Sequence, residues 1–133
     1  MHKTRIIILL LFVTILSSCA KSTHSSHPSV LTANDSGTTV SLHQGQTFSV
    51  SLWGNSSTGY TWEVVSGAEV ILAQQGNPQF VPDSNAVGSG RMSTFTINAI
   101  AIGNATLQLV YHRPWETDVP SLQTFEVNVT VTN

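Results

Sequence analysis

The chain has 133 residues, of which 41% are hydrophobic and only 9% are charged. This composition excludes an intrinsically disordered chain, which would be poor in apolar residues and rich in charge, and the length suits one folded domain. Beyond residue 18, three basic residues, Lys21, Arg91 and Arg113, stand against seven acidic ones, a net charge of −4. We therefore expect no nucleic-acid partner, because three cations cannot build the basic surface that a phosphate backbone needs.

The first predicted element is a secretory signal peptide over residues 1–18. Lys3 and Arg5 give it a basic start, residues 6–15 are apolar except for Thr14, and Ser17-Ser18 gives it a small-residue end. Ten apolar-rich positions span about 15 Å as a helix, which is half of a roughly 30 Å hydrocarbon core. The segment is therefore too short to cross a membrane and has the three parts of a signal peptide.

Cys19 is the only cysteine, which excludes an intramolecular disulfide. The segment Leu16-Ser17-Ser18-Cys19 resembles the lipobox of bacterial lipoproteins, in which the cysteine is lipidated and becomes the new N-terminus. A chance cysteine in an ordinary signal peptide is the alternative. The resemblance implies an exported protein that is lipid-anchored at Cys19 in the bacterial envelope, in the outer membrane or periplasm or at the cell surface. Two or more acyl chains would hold it there stably.

Residues 19–37 are predicted to be the lipidated cysteine and a flexible tether. Residues 20–37 contain five Ser, two His, one Pro and one Gly, with little apolar content. Such a composition is typical of a solvated linker. His24 and His27 could suggest a metal site, but no further ligand-type residues lie nearby, and we expect neither a metal nor any other cofactor.

Residues 38–133 show the period-two alternation of apolar and polar residues that is typical of strands with one solvent-exposed face. The alternating sets are Val40 and Leu42; Phe48, Val50 and Leu52; Tyr60, Trp62 and Val64; Val70 and Leu72; Phe95, Ile97 and Ala99; Ala105, Leu107, Leu109 and Tyr111; and Phe125, Val127, Val129 and Val131. This pattern predicts an all-β domain of about seven to eight antiparallel strands. An immunoglobulin-like sandwich and a related, partly closed barrel both suit it.

The connections between these sets differ in length. Two of them, His43–Gln46 and Gly103-Asn104, are predicted to be hairpin turns with no functional role. The stretch from Gln74 to Gly90, with two prolines and three glycines, is predicted to be a long irregular loop. A loop of that length in a small domain is either functional or mobile.

Three short loops deserve separate consideration. The first loop is Asn55-Ser56-Ser57-Thr58-Gly59-Tyr60, whose small hydroxyl residues and glycine permit a tight exposed projection, although an ordinary polar hairpin loop would also explain it. The second loop is Gly88-Ser89-Gly90-Arg91, whose glycines allow a backbone to approach another surface closely. A phosphate site is not expected there, because no Lys-Ser/Thr pair and no helix follow.

The third loop is Tyr111-His112-Arg113-Pro114-Trp115-Glu116. Pro114 cannot donate to a β ladder, so the strand should stop there and leave Trp115 just beyond its end. Trp115 is then either a lid over the core or an exposed anchor, since Trp and Arg dominate binding hot spots. Both interpretations fit the sequence.

An enzyme is not expected. His43 and His112 lie in no Ser/His/Asp motif, and neither HExxH nor CxxC nor a clustered Asp/Glu metal loop occurs. Glu116 and Asp118 could form a carboxylate pair, but a solvated turn explains them better.

The three loops, in this order, resemble those of the chagasin-like inhibitors of papain-family cysteine peptidases. That family shows an Asn-Pro-Thr-Thr-Gly-Tyr/Phe loop, then Gly-x-Gly-Gly, then Arg-Pro-Trp, and the likeness here spans about residues 38–133. Arg113-Pro114-Trp115 matches fully. Ser56 replaces the family proline, Ser57 replaces a threonine and Arg91 replaces the last glycine of the second motif. We expect these departures to affect potency and target choice more than fold.

The resemblance implies a reversible inhibitor with an immunoglobulin-like fold and three loops gathered at one end. The loops would enter the active-site cleft of a papain-family peptidase, with Thr58 and Gly59 nearest the catalytic cysteine and Trp115 packed on an aromatic surface. The peptidase is then the partner, and we expect the inhibitor to be a monomer. The alternative is a non-inhibitory immunoglobulin-like module for binding or adhesion at the cell surface, since fold does not fix function.

Overall fold

The computed structural model describes residues 30–67 and 69–133, and within them strands are the dominant element. Two short 3₁₀ turns, Ala33–Asp35 and Ser56–Thr58, are the helical elements of this part of the chain. No helix among the described residues is long and apolar enough to span a bilayer. The predicted signal peptide, the predicted lipidation site at Cys19 and the tether up to residue 29 lie outside the described residues.

The first sheet is built around β7 (Arg91–Ala99), which pairs with strands on both sides. On one side lies β3 (Thr47–Gly54), antiparallel to β7, and β1 (Val30–Leu31) extends the sheet parallel to β3. Two short strands share the other side of β7: β6 (Gln79–Pro82) pairs with residues 91–94 and β5 (Leu72–Gln74) with residues 97–99.

The second sheet has the order β2–β9–β8–β4. Its strands are β2 (Thr39–His43), β4 (Thr61–Ser66), β8 (Gly103–His112) and β9 (Gln123–Thr132). β8 is antiparallel to both β4 and β9, and β2 is parallel to β9. The register of β4 against β8 shifts between Val64 and Ser66, which inserts Val65 as a bulge.

One hydrophobic core joins the inner faces of the two sheets. Alternate residues of each long strand point into it because the side-chain period of a strand is two. The first sheet contributes Leu31, Phe48, Val50, Leu52, Leu72, Phe95, Ile97 and Ala99, and the second contributes Val40, Leu42, Trp62, Leu107, Leu109, Tyr111, Phe125, Val127, Val129 and Val131. The all-β prediction is confirmed. The two sheets stay separate, so the described residues do not form a closed barrel.

The expectation that all strands are antiparallel is wrong for two pairs, β1–β3 and β2–β9. Both predicted hairpins are wrong for a related reason. β2 and β3 belong to different sheets, so His43–Gln46 crosses between sheets, and Gly103 begins β8 after a similar crossing from β7. Period-two patterns locate strands, but they do not indicate which strand is the neighbour.

Three predicted boundaries also need correction. Val70 is 75% exposed and lies outside β5, so the short strand set contributes only Leu72 to the core. The Gln74–Gly90 stretch is not irregular throughout, because β6 within it pairs with β7. The composition places residues 30–37 in the tether, whereas Leu31 is buried in the core at 1% exposure and Thr32–Asp35 forms a hydrogen-bonded turn.

Candidate functional site

The structure brings the three loops together at one end of the domain. The first loop connects β3 to β4, the second precedes β7 and the third follows β8. The Asn55 Nδ2 group donates to the Gly88 carbonyl at 3.1 Å, which joins the first loop to the second. Arg113 Nε donates to the Thr58 carbonyl at 3.0 Å, which joins the first loop to the third.

The first loop is held by its own hydrogen bonds. Asn55 caps the 3₁₀ turn, because its Oδ1 accepts from the Ser57 backbone N–H at 3.0 Å and from the Ser57 hydroxyl at 2.7 Å. The Thr58 hydroxyl donates to the Asn55 carbonyl at 2.7 Å, and Gly59 ends the turn in the left-handed conformation with φ 83°. Ser56, which replaces the family proline, is exposed in a turn that these bonds already define.

Tyr111 supports the base of this loop from β8. Its hydroxyl accepts a hydrogen bond from the Asn55 backbone N–H at 2.7 Å and donates to the Asn55 carbonyl at 3.2 Å. Gly54 makes room for the ring, since a Cβ there would lie 2.8 Å from Tyr111 Cε2. The sequence places Tyr111 in an alternating strand set and at the start of the third loop, but it does not indicate this role.

Arg113 acts within the site as a brace. Besides its bond to Thr58, its guanidinium lies 4.5 Å from the ring centroid of Tyr60, and its Nη1 is 3.1 Å from Glu116 Oε1. The charge of Arg113 is therefore balanced inside the third loop, and its planar group connects that loop to Thr58 and Tyr60 in the second half of the first loop.

Trp115 is an exposed residue and not a lid over the core. Its exposure is 67%, and the edge of its ring lies against Gly59, where a Cβ would come within 2.5 Å of Cη2. This exposure excludes the interpretation of Trp115 as a lid over the core. Gly59 serves two needs at once, a left-handed φ and the absence of a side chain beneath the indole.

The second loop is divided between exposed and buried positions. Gly88 is exposed with φ 80°, and the Ser89 hydroxyl donates to the Ser84 carbonyl at 2.9 Å. Gly90 is buried. Arg91 is the first residue of β7, and its guanidinium lies 3.9 Å above the ring of Phe80, so the cation that replaces a family glycine packs on its own hairpin.

The exposed tip formed by Ser56–Gly59 carries no charged side chain. Next to the site, His112 Nε2 lies 2.8 Å from Glu63 Oε2 and ties β8 to the edge strand β4. In the described residues no group of three or more His, Cys, Asp or Glu side chains could hold a metal ion. The arrangement offers hydrogen-bonding backbone, hydroxyls and one large aromatic ring, which are the features of a protein-binding surface.

The sequence profile of the Chagasin family peptidase inhibitor I42 matches residues 41–129. The chain belongs to the chagasin family. This chagasin-family chain is 31% identical over 104 residues to amoebiasin-1 of Entamoeba histolytica, an alignment that covers 76% of this chain and 97% of amoebiasin-1. The solution structure of amebosin superimposes with a TM-score of 0.64 at 30% identity and covers 77% of this chain and 96% of amebosin.

The fold also matches PbICP-C in a structure of its complex with falcipain-2. The TM-score is 0.52 at 19% identity, with 81% of this chain and 93% of PbICP-C covered. The predicted family is confirmed, and with it the predictions that this chagasin-family protein is a cysteine peptidase inhibitor and not an enzyme. Membership favours inhibition over the adhesion alternative.

Proposed function

We propose that this chain inhibits papain-family cysteine peptidases reversibly by inserting the three loops into the active-site cleft. The observation that carries the proposal is the contact between the first and third loops. There, Trp115 lies two-thirds exposed over Gly59 while Arg113 holds the Thr58 carbonyl. An exposed tryptophan held on a braced loop is what a binding anchor requires.

Rigidity of the loops supports tight binding. Each loop is attached to a strand end and to a neighbouring loop by hydrogen bonds, so little conformational freedom remains to be lost when a partner binds. A standard protein interface takes about 800 Å² from each partner, and three adjacent loops can supply roughly that area.

The shape of the first loop suggests why the peptidase would not cut it. Ser56–Thr58 forms a 3₁₀ turn and Gly59 is left-handed, so no extended backbone is presented on either side of Thr58. A carbonyl held outside a near-attack geometry reacts slowly even beside a catalytic thiolate. Rapid cleavage after Thr58 by papain would contradict this explanation.

The decisive experiment titrates active papain with the chain from residue 20 onward. We expect loss of activity with one inhibitor per active site and recovery of activity on dilution. A matched variant, Val70→Ala, changes another exposed apolar residue, which lies outside the loops, and should inhibit like the parent chain. Full papain activity in the presence of micromolar inhibitor would refute the proposal.

We also propose a location and an assembly state. The Leu16–Cys19 segment supports a lipid anchor in the bacterial envelope, with the domain acting there as a monomer. The shared core of the two sheets supports an immunoglobulin-like sandwich as the finer description of the fold. Replacing Cys19 by serine should move the protein from the membrane fraction to the soluble fraction, and sedimentation of the 20–133 chain should give a mass near that of one copy.

A further inference from the structure

Trp53 lies outside the three loops, yet it contacts the segments that carry two of them. It is the penultimate residue of β3, faces away from the core and is 50% exposed. Its indole N–H donates to the Asp83 carboxylate, at the start of the segment that forms the second loop. Its backbone carbonyl accepts a hydrogen bond of 2.9 Å from the indole of Trp62 in β4, the strand that leaves the first loop.

The ring of Trp53 also covers Gly90, at the other end of the second loop. A Cβ at position 90 would lie 2.5 Å from Trp53 Cε2 and 2.6 Å from Nε1. Gly90 is not one of the glycines with positive φ, so its backbone conformation would accept an alanine and the ring is the obstacle. The Asp83 backbone N–H donates to the Gly90 carbonyl at 2.9 Å, which closes the neck of residues 83–90 directly beside the indole.

We propose that Trp53 is a positioning residue that fixes the second loop beside the first. By this account Gly90 is glycine because of the Trp53 ring and not because of close approach by a peptidase. The second loop has another attachment to the first, the bond from the Asn55 side chain to the Gly88 carbonyl. Without the indole, the backbone bond between Asp83 and Gly90 would still close the neck, but the Asn55 bond alone would hold residues 84–89 beside the first loop. The effect on inhibition rests on the proposed function, whereas the effect on loop order does not.

The test is a double-mutant cycle in the full chain with Trp53→Ala, Gly90→Ala and both changes together. Hydrogen exchange is measured in the free protein for the hydrogen-bonded amides within residues 84–89, those of Ala86 and Ser89, so its outcome does not depend on any peptidase. We expect each single change to speed this exchange about tenfold, because each removes or displaces the same ring. The double variant should be no faster than Trp53→Ala alone, because the methyl at position 90 then has space.

Trp53→Phe keeps an aromatic ring but loses the donor to Asp83, so its exchange should lie between those of the parent chain and Trp53→Ala. Val70→Ala is the matched control, because it truncates an exposed apolar side chain beside Ala105, near the end of β8 that is opposite the third loop, and should leave exchange at 84–89 unchanged. Additive effects of the two changes, or unchanged exchange in Trp53→Ala, would overturn the proposal. Because Trp53 is half exposed and outside the core, the Trp53 variants should still fold.

A second readout separates positioning from inhibition. If the parent chain inhibits papain, Trp53→Ala should raise the dissociation rate about tenfold and Trp53→Phe should recover part of the loss. An unchanged dissociation rate would overturn the role of Trp53 in inhibition. If the parent chain does not inhibit papain, the proposed function fails, and the exchange experiment still decides whether Trp53 positions the second loop.

Discussion

Replacing Trp115 by alanine should weaken inhibition strongly while leaving the fold intact. Large aromatic side chains bury about 150–250 Å² when fully enclosed, and 67% of Trp115 is exposed in the free protein. A peptidase could therefore remove about 100–170 Å² of this residue from water, which corresponds to about 2.5–4 kcal/mol at 25 cal/mol per Å². The area that alanine keeps and the ordering cost of the side chain reduce this to about 1.4–2.8 kcal/mol, a 10- to 100-fold increase in the inhibition constant.

The assay is a steady-state titration of papain with the parent chain and Trp115→Ala, alongside thermal unfolding of both. Because most of Trp115 is in water, its loss should change the free energy of unfolding by about 0.5 kcal/mol or less. The melting temperature should then fall by about 4 °C at most. The reasoning would be refuted if the inhibition constant did not change, because Trp115 would then lie outside the contact surface. A large drop in melting temperature would show instead that the residue supports the fold.

Further substitutions test the contacts that hold the loops together. Gly59→Ala forces a left-handed alanine, at a cost of about 1–2 kcal/mol, and pushes Trp115 aside. The melting temperature should therefore drop by about 5–10 °C, and papain inhibition should fall at least as far as in Trp115→Ala. Arg113→Lys keeps the charge but loses the Nε donor to Thr58, and its inhibition constant should rise about 5- to 30-fold; a constant equal to that of the parent chain would mean that charge alone matters. Tyr111→Phe leaves the Asn55 N–H without its partner, and urea unfolding should show a loss of about 1–3 kcal/mol, whereas an unchanged midpoint would mean that water replaces the hydroxyl.

The strands could be predicted from the sequence because their signal is local. Alternation over four or five residues is enough to orient side chains to one face of a strand, and sets such as Phe125, Val127 and Val129 are buried as that pattern predicts. Strand partners are not a local property. Val40 pairs with Val129, 89 positions along the chain, and no property of either residue indicates a parallel register. The antiparallel expectation therefore failed where the neighbour was distant.

The site shows the same division between local and distant information. The first loop could be located because glycine and small hydroxyl residues are typical of turns, and Pro114 marks the end of β8. The role of Gly59 depends on the ring of Trp115, and the role of Gly90 depends on the ring of Trp53. Both rings are distant in sequence, so only the folded structure shows these contacts. Arg113 shows the limit most clearly: its sequence context allows an outward contact or a brace, and the carbonyl it holds belongs to Thr58, 55 residues earlier.

The strand directions place the three loops and Asn133 at opposite ends of the domain. β3 runs toward the first loop, and β1 runs the same way from Val30, which lies beside Ser49 near the start of β3. β9 runs antiparallel to β8, away from the third loop, and Asn133 follows it beside His43. An enzyme, a label or a solid support joined after Asn133 would thus sit at the opposite end from the loops. An attachment made there leaves the three loops clear for whatever they bind.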